Sequence, residues 1–311
     1  MKKKFISKRQ KHKKLKFKFL LFLLLFILSI YKSFRYLLKS NIKIDNKEFV
    51  ELLLTNNIEE NKITKFIGII NKNYKPVNLL STNYFELVDT RKKKINTNNN
   101  SNSSILPLIY IYNSHQTEEY LPSNFIESEV KPTVMMADYI MEDIFNKNNF
   151  NTIVEERSIR QKLNENNWKY YKSYDASRIY LDDTKTNNPS IKYFIDVHRD
   201  SLKRDKTTVE INGKSYAKTI FLIGLENDNY NENLEFTTKI NDKLNEKYPN
   251  LSKGIYKKGG EGVNGVYNQD NSKYTILLEI GGPENNTTEV LNSTLAFADC
   301  FMEVISKYEK R

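Results

Sequence analysis

Four runs rich in apolar and β-branched residues recur along the chain: ILPLIYIYN (105–113), SIKYFIDVH (190–198), YAKTIFLIG (216–224) and YTILLEIGG (274–282). Each is short and bounded by turn-forming or charged residues, which is the signature of a strand buried on both faces. Between them lie segments of helical period. VMMADYIMEDIFNKN puts Val134, Ala137, Met141 and Ile144 on one face, NENLEFTTKINDKLNEKY ends at Pro249, and TTEVLNSTLAFADCFMEVISKYEK closes the chain with Thr287 or Thr288 as its expected N-cap. NTIVEE reads as a further strand, and the polar stretch through WKYYKSYDASRIYLDD reads as a helix. Strands alternating with helices predict an α/β domain built on a mixed, largely parallel twisted sheet flanked by helices. No internal repeat is present.

The charge of the 311-residue chain narrows the partners. The total is +11, but residues 1 to 44 contain fourteen Lys and Arg and no acid, and removing those leaves −3 for the rest. A nucleic-acid binder needs its basic face on the folded domain, so that class is excluded. The basic head, residues 1–18, runs directly into FLLFLLLFILSIY (19–31), an apolar stretch interrupted only by Ser29. An amphipathic surface helix would need a polar face, which this run lacks. Thirteen residues are fewer than the roughly 20 that span a bilayer. Snorkelling by Lys18, Lys32 and Arg35, with Phe17 and the following YLL, extends the span. IYKSFRYLLKS offers no small-residue cleavage site, which favours an uncleaved signal anchor over a cleaved signal peptide. The expected organisation is a cytoplasmic head (1–18), one transmembrane helix (19–38), a membrane-proximal stalk or small subdomain (39–90), a polar low-complexity linker RKKKINTNNNSNSS (91–104) and a catalytic domain (105–311). The positive-inside rule places that domain outside the cell membrane. The single Cys300 lies on the apolar face of the last helix, so neither an intramolecular disulfide nor a cysteine zinc site is available.

In α/β sheets chemistry gathers at the carboxyl ends of strands. The chain has three histidines, and His12 lies in the basic head. His115 follows the first strand in NSHQTEEY, with Glu118 and Glu119 just beyond, and His198 ends the strand SIKYFIDVH. Glu279 interrupts the apolar strand ILLEI. Two imidazoles and one carboxylate satisfy zinc while leaving a position for water, and a carboxylate in an apolar strand has the raised pKa of a general base. Ordinary readings exist for each piece. A histidine at a strand end is commonly a hydrogen-bonding loop residue, Glu118 and Glu119 could start a helix, and Asp196 and Asp200 could pair with Arg199. Glu279 is harder to explain away, because an unpaired buried carboxylate is expensive.

The motifs HQTEEY (115–120), DVHRDS (196–201), YNQD (267–270) and LLEIGG (277–282), with KSYDASR (172–178) and YPNLSKGI (248–255) between them, resemble stage II sporulation protein P, a branch of the zinc-dependent N-acetylmuramoyl-L-alanine amidases. The resemblance runs from Ile105 to the C-terminus. It implies an amidase-like fold and hydrolysis of peptidoglycan at the amide between muramic acid and L-alanine, with cutting of peptide cross-links also associated with the family. It implies a place in septal wall thinning during engulfment, with stage II sporulation proteins D and M as partners. Carried over by position, His115, Glu118 and His198 would bind Zn2+ and Glu279 would be the catalytic carboxylate, with Arg199 and Asn268 as substrate contacts. The chain departs from the family at Asn113, where a second histidine is common, and Glu119 beside Glu118 leaves two glutamates within reach of a metal. Two other functions stay open at this level: a zinc peptidase acting on stem peptides, and a non-catalytic wall-binding scaffold.

Overall fold

The structure, a computed structural model, describes residues 26, 31–32, 45–47, 50, 54, 106–121 and 132–309. The expected head, nearly all of the anchor and stalk, and the linker lie outside these residues. Among the described residues no helix is long and apolar enough to cross a membrane. In chain order the regular elements are β1 (Ile109–Tyr112), α1 (Met135–Lys147), β2 (Thr152–Val154), α2 (Ile159–Glu165), α3 (Ser173–Asn187), β3 (Tyr193–His198), α4 (Arg204–Thr207), β4 (Thr208–Ile211), β5 (Lys214–Ala217), β6 (Thr219–Gly224), α5 (Tyr230–Lys247), β7 (Ser252–Lys258), β8 (Thr275–Ile280) and α6 (Thr287–Glu309).

Six strands form one sheet in the order β2-β1-β3-β8-β6-β7, and β4 pairs with β5 in a separate hairpin. β2, β1, β3 and β8 run parallel, β6 is antiparallel to β8, and β7 is parallel to β6. The sheet is therefore mixed and largely parallel, as the sequence predicts. The carboxyl ends of β1, β3 and β8 share one edge, where the start of β6 also arrives because it runs the other way.

Burial on both faces explains why the central strands read as unbroken apolar runs. On one face α1, α5 and α6 pack an aromatic core. Phe301 meets Phe145, Tyr193, Phe236 and Phe297 at ring separations of 5.4–6.2 Å. Truncating a ring in such a site costs about 3–5 kcal/mol. The opposite face packs Tyr110, Tyr112, Ile191 and Phe194 against Leu181 of α3. The expected apolar face of α1 is buried at Val134, Ala137, Met141 and Ile144. Cys300 is buried, and burial pushes its thiol up to about 12.

The N-cap of α6 is Asn286 and not Thr287 or Thr288. Its Oδ1 accepts the Glu289 N–H at 3.0 Å, while Glu289 Oε2 accepts the Asn286 N–H at 3.1 Å, a reciprocal capping box. Buried Glu289 also binds Arg204, Ser215 and Asn285, so one carboxylate ties α4 and the hairpin to α6.

Residues 45–47 pack on the same unit as the domain. Asn46 Oδ1 accepts the Thr133 N–H at 2.9 Å, and Lys47 pairs with Glu156 at 2.7 Å.

Asp138 of α1 is wholly buried, with the Asn113 amide 3.3 Å from its Oδ1. Burial raises its pKa well above the ordinary carboxyl range, and the Asn113 contact only partly opposes that. A folded-state pKa above the unfolded one favours the fold at low pH, and that contribution is lost as pH rises from the unfolded value of about 3.9. Asp138→Asn should therefore raise the melting temperature at pH 7 and flatten its dependence on pH. Thermal melts of both proteins between pH 4 and 8 check this, and parallel curves would refute it.

Candidate metal centre

His115, Glu118 and His198 each offer one ligand atom, and these atoms lie within 4.8 Å of one another. β1 and the turn after it deliver the first two, and β3 delivers the third from the neighbouring strand. The segment at residues 114–117 is a turn and not a helix start, with the Glu118 N–H bonded to His115 O at 3.2 Å. The Glu118 carboxylate faces both imidazoles: Oε1 is 3.6 Å from His115 Nδ1 and Oε2 is 3.6 Å from His198 Nδ1. Glu118 is the glutamate in this cluster, and Glu119 is outside it.

Atoms behind the cluster orient it. His198 Nε2 lies 3.0 Å from Asp196 Oδ1 and 2.9 Å from Ser114 Oγ. The Ser114 hydroxyl donates to Asp196 Oδ2 at 2.8 Å and its backbone N–H to Oδ1 at 2.9 Å. Nε2 is thus engaged by Asp196 and Ser114, which leaves Nδ1 facing the cluster. A carboxylate behind a ligating imidazole is the usual support of a metal-binding histidine. Asp196 does not pair with Arg199, and Asp200 pairs with Lys253 at 2.9 Å. The spacing D-x-H holds a signal for Asp196 that the sequence reading did not use, because alternate residues of a strand share a face. No sequence signal marked Ser114.

The electrostatics suit a cation. Burial opposes the charge on Glu118, but the two imidazoles facing it and the Arg199 N–H, which donates at 2.8 Å, hold its pKa down at about 2. Burial likewise opposes the charge on His198, yet Asp196 and Glu118 outweigh it and push the imidazole up to about 10, so a bound cation would take the place of the Nδ1 proton. Two nitrogen donors and one carboxylate fit the donor preference of zinc.

Glu279 stands in register with His198 across the β3–β8 pairing, so both side chains leave the same face. It is half-buried, and its carboxylate makes no hydrogen bond or ion pair among the described residues. Burial raises its pKa, with His198 and Lys258 opposing and Asp200 adding to the rise. The strand ends in Gly281, with φ +64°, and Gly282. A Cβ on Gly281 would lie 2.7 Å from Asn285 Oδ1, and one on Gly282 would lie 2.3 Å from Leu202 O. Glycine lets the loop after β3 cross the end of β8, where the Asp200 N–H bonds Gly281 O at 2.8 Å.

The Arg199 guanidinium is engaged by the carbonyls of Glu119 and Asp200, at 2.7 and 3.1 Å. Asn268 is buried, and its amide nitrogen donates to Tyr174 O and Ser177 Oγ on α3. Asn113 donates to Val197 O at 2.9 Å. Aromatic walls rise beside the cluster: Tyr170 stacks on His115 at 5.1 Å, and Tyr174 lies 5.3 Å from His115 and 5.3 Å from Tyr267.

Comparison with known proteins adds four findings. The family model described as stage II sporulation protein P matches residues 72–302. Stage II sporulation protein P of Bacillus subtilis (strain 168) is 36% identical over 211 residues, covering 65% of this chain and 52% of the relative. The match thus spans about half the length of that curated relative. Among solved structures, the CwlD amidase from Clostridioides difficile in complex with the GerS lipoprotein is similar at a TM-score of 0.43 and 12% identity, over 65% of this chain and 98% of that one. A metallo-carboxypeptidase from Burkholderia cenocepacia is similar at a TM-score of 0.35 and 8% identity, over 65% of this chain and 58% of that one. On the family match across most of its length, the chain belongs to the stage II sporulation protein P family.

Proposed function

We propose that this chain is a membrane-anchored peptidoglycan hydrolase that cleaves the amide between N-acetylmuramic acid and L-alanine, in septal wall thinning during engulfment. The observation that carries the reading is the joint geometry of His115, Glu118 and His198 with Glu279 in register beside them. Membership in a sporulation family supports the cellular setting, and the basic head with its apolar run supports an anchor with the catalytic domain outside the membrane. Stage II sporulation proteins D and M are the proposed partners, and cutting of peptide cross-links is a proposed second activity.

His115, Glu118 and His198 would hold Zn2+, with Asp196 and Ser114 keeping the His198 ring in the ligating tautomer. When bound there, zinc supplies Lewis acidity, polarising a carbonyl and making water more acidic. Glu279, its carboxyl raised above the ordinary range by burial, takes the proton of the attacking water and returns it to the departing alanine amine. The amide C–N bond breaks, leaving a carboxylate on the muramic acid and a free amine on the peptide. Tyr170 and Tyr174 shield the reacting groups from bulk water.

Purified full-length chain should contain about one zinc, consistent with a three-ligand catalytic site. Asp196→Asn should weaken zinc binding about 10- to 100-fold in competition with a chromogenic chelator, the range for lost support behind a ligand. His198→Ala should abolish stoichiometric zinc. A zinc-free wild type after metal is added back would sink the assignment.

Glu279→Gln should keep its zinc while the rate on purified muropeptides falls about 10²- to 10⁴-fold, the range for a lost general base. Product analysis should find intact alanine-initiated peptides and sugar chains free of peptide. Products cut within the peptide alone would favour a peptidase, and an unaffected Glu279→Gln rate would remove Glu279 from the chemistry.

A further inference from the structure

The sheet face that carries His198 and Glu279 continues across two more strands. Glu279 pairs with Ile220 of β6, and Leu222 and Gly224 of β6 stand opposite Tyr256 and Lys258 of β7. Side chains alternate along each strand, so Glu279, Ile220, Leu222, Tyr256 and Lys258 share one face. α3 covers this face over β1 and β3, and Tyr174 and Tyr267 cover Leu222 and Leu277. Toward the β7 edge the cover ends: Tyr256 is 47% exposed and Lys258 is exposed.

The cations of β7 differ in their surroundings. Lys253 is paired with Asp200. Lys257 alternates onto the other face. The Lys258 side chain makes no ion pair or hydrogen bond among the described residues, and its charge acts on Glu279. The His115 side of the site is different in kind. There Tyr170, 54% exposed, lies nearly flat on the His115 ring, with 21° between the planes. An aromatic face suits the C–H surface of a sugar, whereas an unpaired lysine beside an exposed tyrosine suits an anionic, extended chain.

Resting on the amidase reading, we infer that the exposed end of β7, at the margin of this face away from the carboxyl ends of β3 and β8, is a subsite for an acidic peptide. Lys258 receives a peptide carboxylate and Tyr256 packs against the peptide chain. The substrate then lies with its peptide arm toward β7 and its sugar toward Tyr170.

The test uses the full-length chain in detergent and a synthetic alanine-initiated peptide, made once with free side carboxylates and once with those carboxylates amidated. Calorimetric titration should show wild type preferring the free acid. For that peptide, Lys258→Ala should raise Kd about two- to fivefold, the range for one solvent-exposed charge pair. Lys258→Glu should raise it further, Lys257→Ala should leave it unchanged, and the amidated peptide should not distinguish the variants. Equal binding of both peptides by wild type, or a Lys258→Glu protein that binds the acid as wild type does, overturns the subsite. A carboxylate preference that depends on Lys258, in a chain that hydrolyses no sugar–peptide amide, would support the subsite while removing the amidase reading.

Discussion

The parallel pairing of β3 with β8 is the constraint on which the site depends. It sets His198 beside Glu279, and it does so inside strands buried on both faces. A slip of β8 by one residue against β3 would turn Glu279 toward the aromatic core around Phe301 and bring an apolar neighbour, Leu278 or Ile280, beside His198. The core therefore enforces the register, and the register supplies the chemistry. Asp196 depends on the same geometry, since its place two residues before His198 puts its carboxylate under the same imidazole.

What the sequence made legible follows from burial. β1, β3, β6 and β8 announced themselves as apolar runs because no residue in them meets bulk solvent on a large scale. β4, β5 and β7 did not, because TVEI, KSYA and SKGIYKK mix polar with apolar residues and leave much of their length in contact with solvent. The direction of β6 was illegible for another reason. Nothing local to an apolar strand states which way it runs, and the hairpin that returns the chain to the site edge is too polar to announce itself. Within the site, both histidines, Glu118 and Glu279 stood out by type and by strand-end position. Ser114 did not, because its role depends on an Asp196 contact across 82 residues of chain.

Several motif residues shape the site without entering its centre. Arg178 of KSYDASR grips both oxygens of Asp270 of YNQD at 2.8 Å. Gln269 completes the end of β6 as a strand would, accepting from Gly224 N–H and donating to Leu222 O. Tyr267 and Asn268 both adopt φ +55°, a conformation costly for residues with side chains. That turn brings the Tyr267 ring against Tyr174 and the Asn268 amide against the backbone of α3. The aromatic wall is thus held by two distant segments locked to each other.

The glycine pair at the end of β8 has a consequence for how such a protein can vary. Gly282 lies against the backbone of the loop after β3, and that loop supplies the Arg199 N–H bonded to Glu118. A methyl group added at the tip of one strand would push on the backbone of the next and, through it, on a carboxylate that neither glycine touches. The strand bearing the general base and the loop steadying the metal-facing glutamate form one mechanical unit, so change on either side is filtered by the fit of the other.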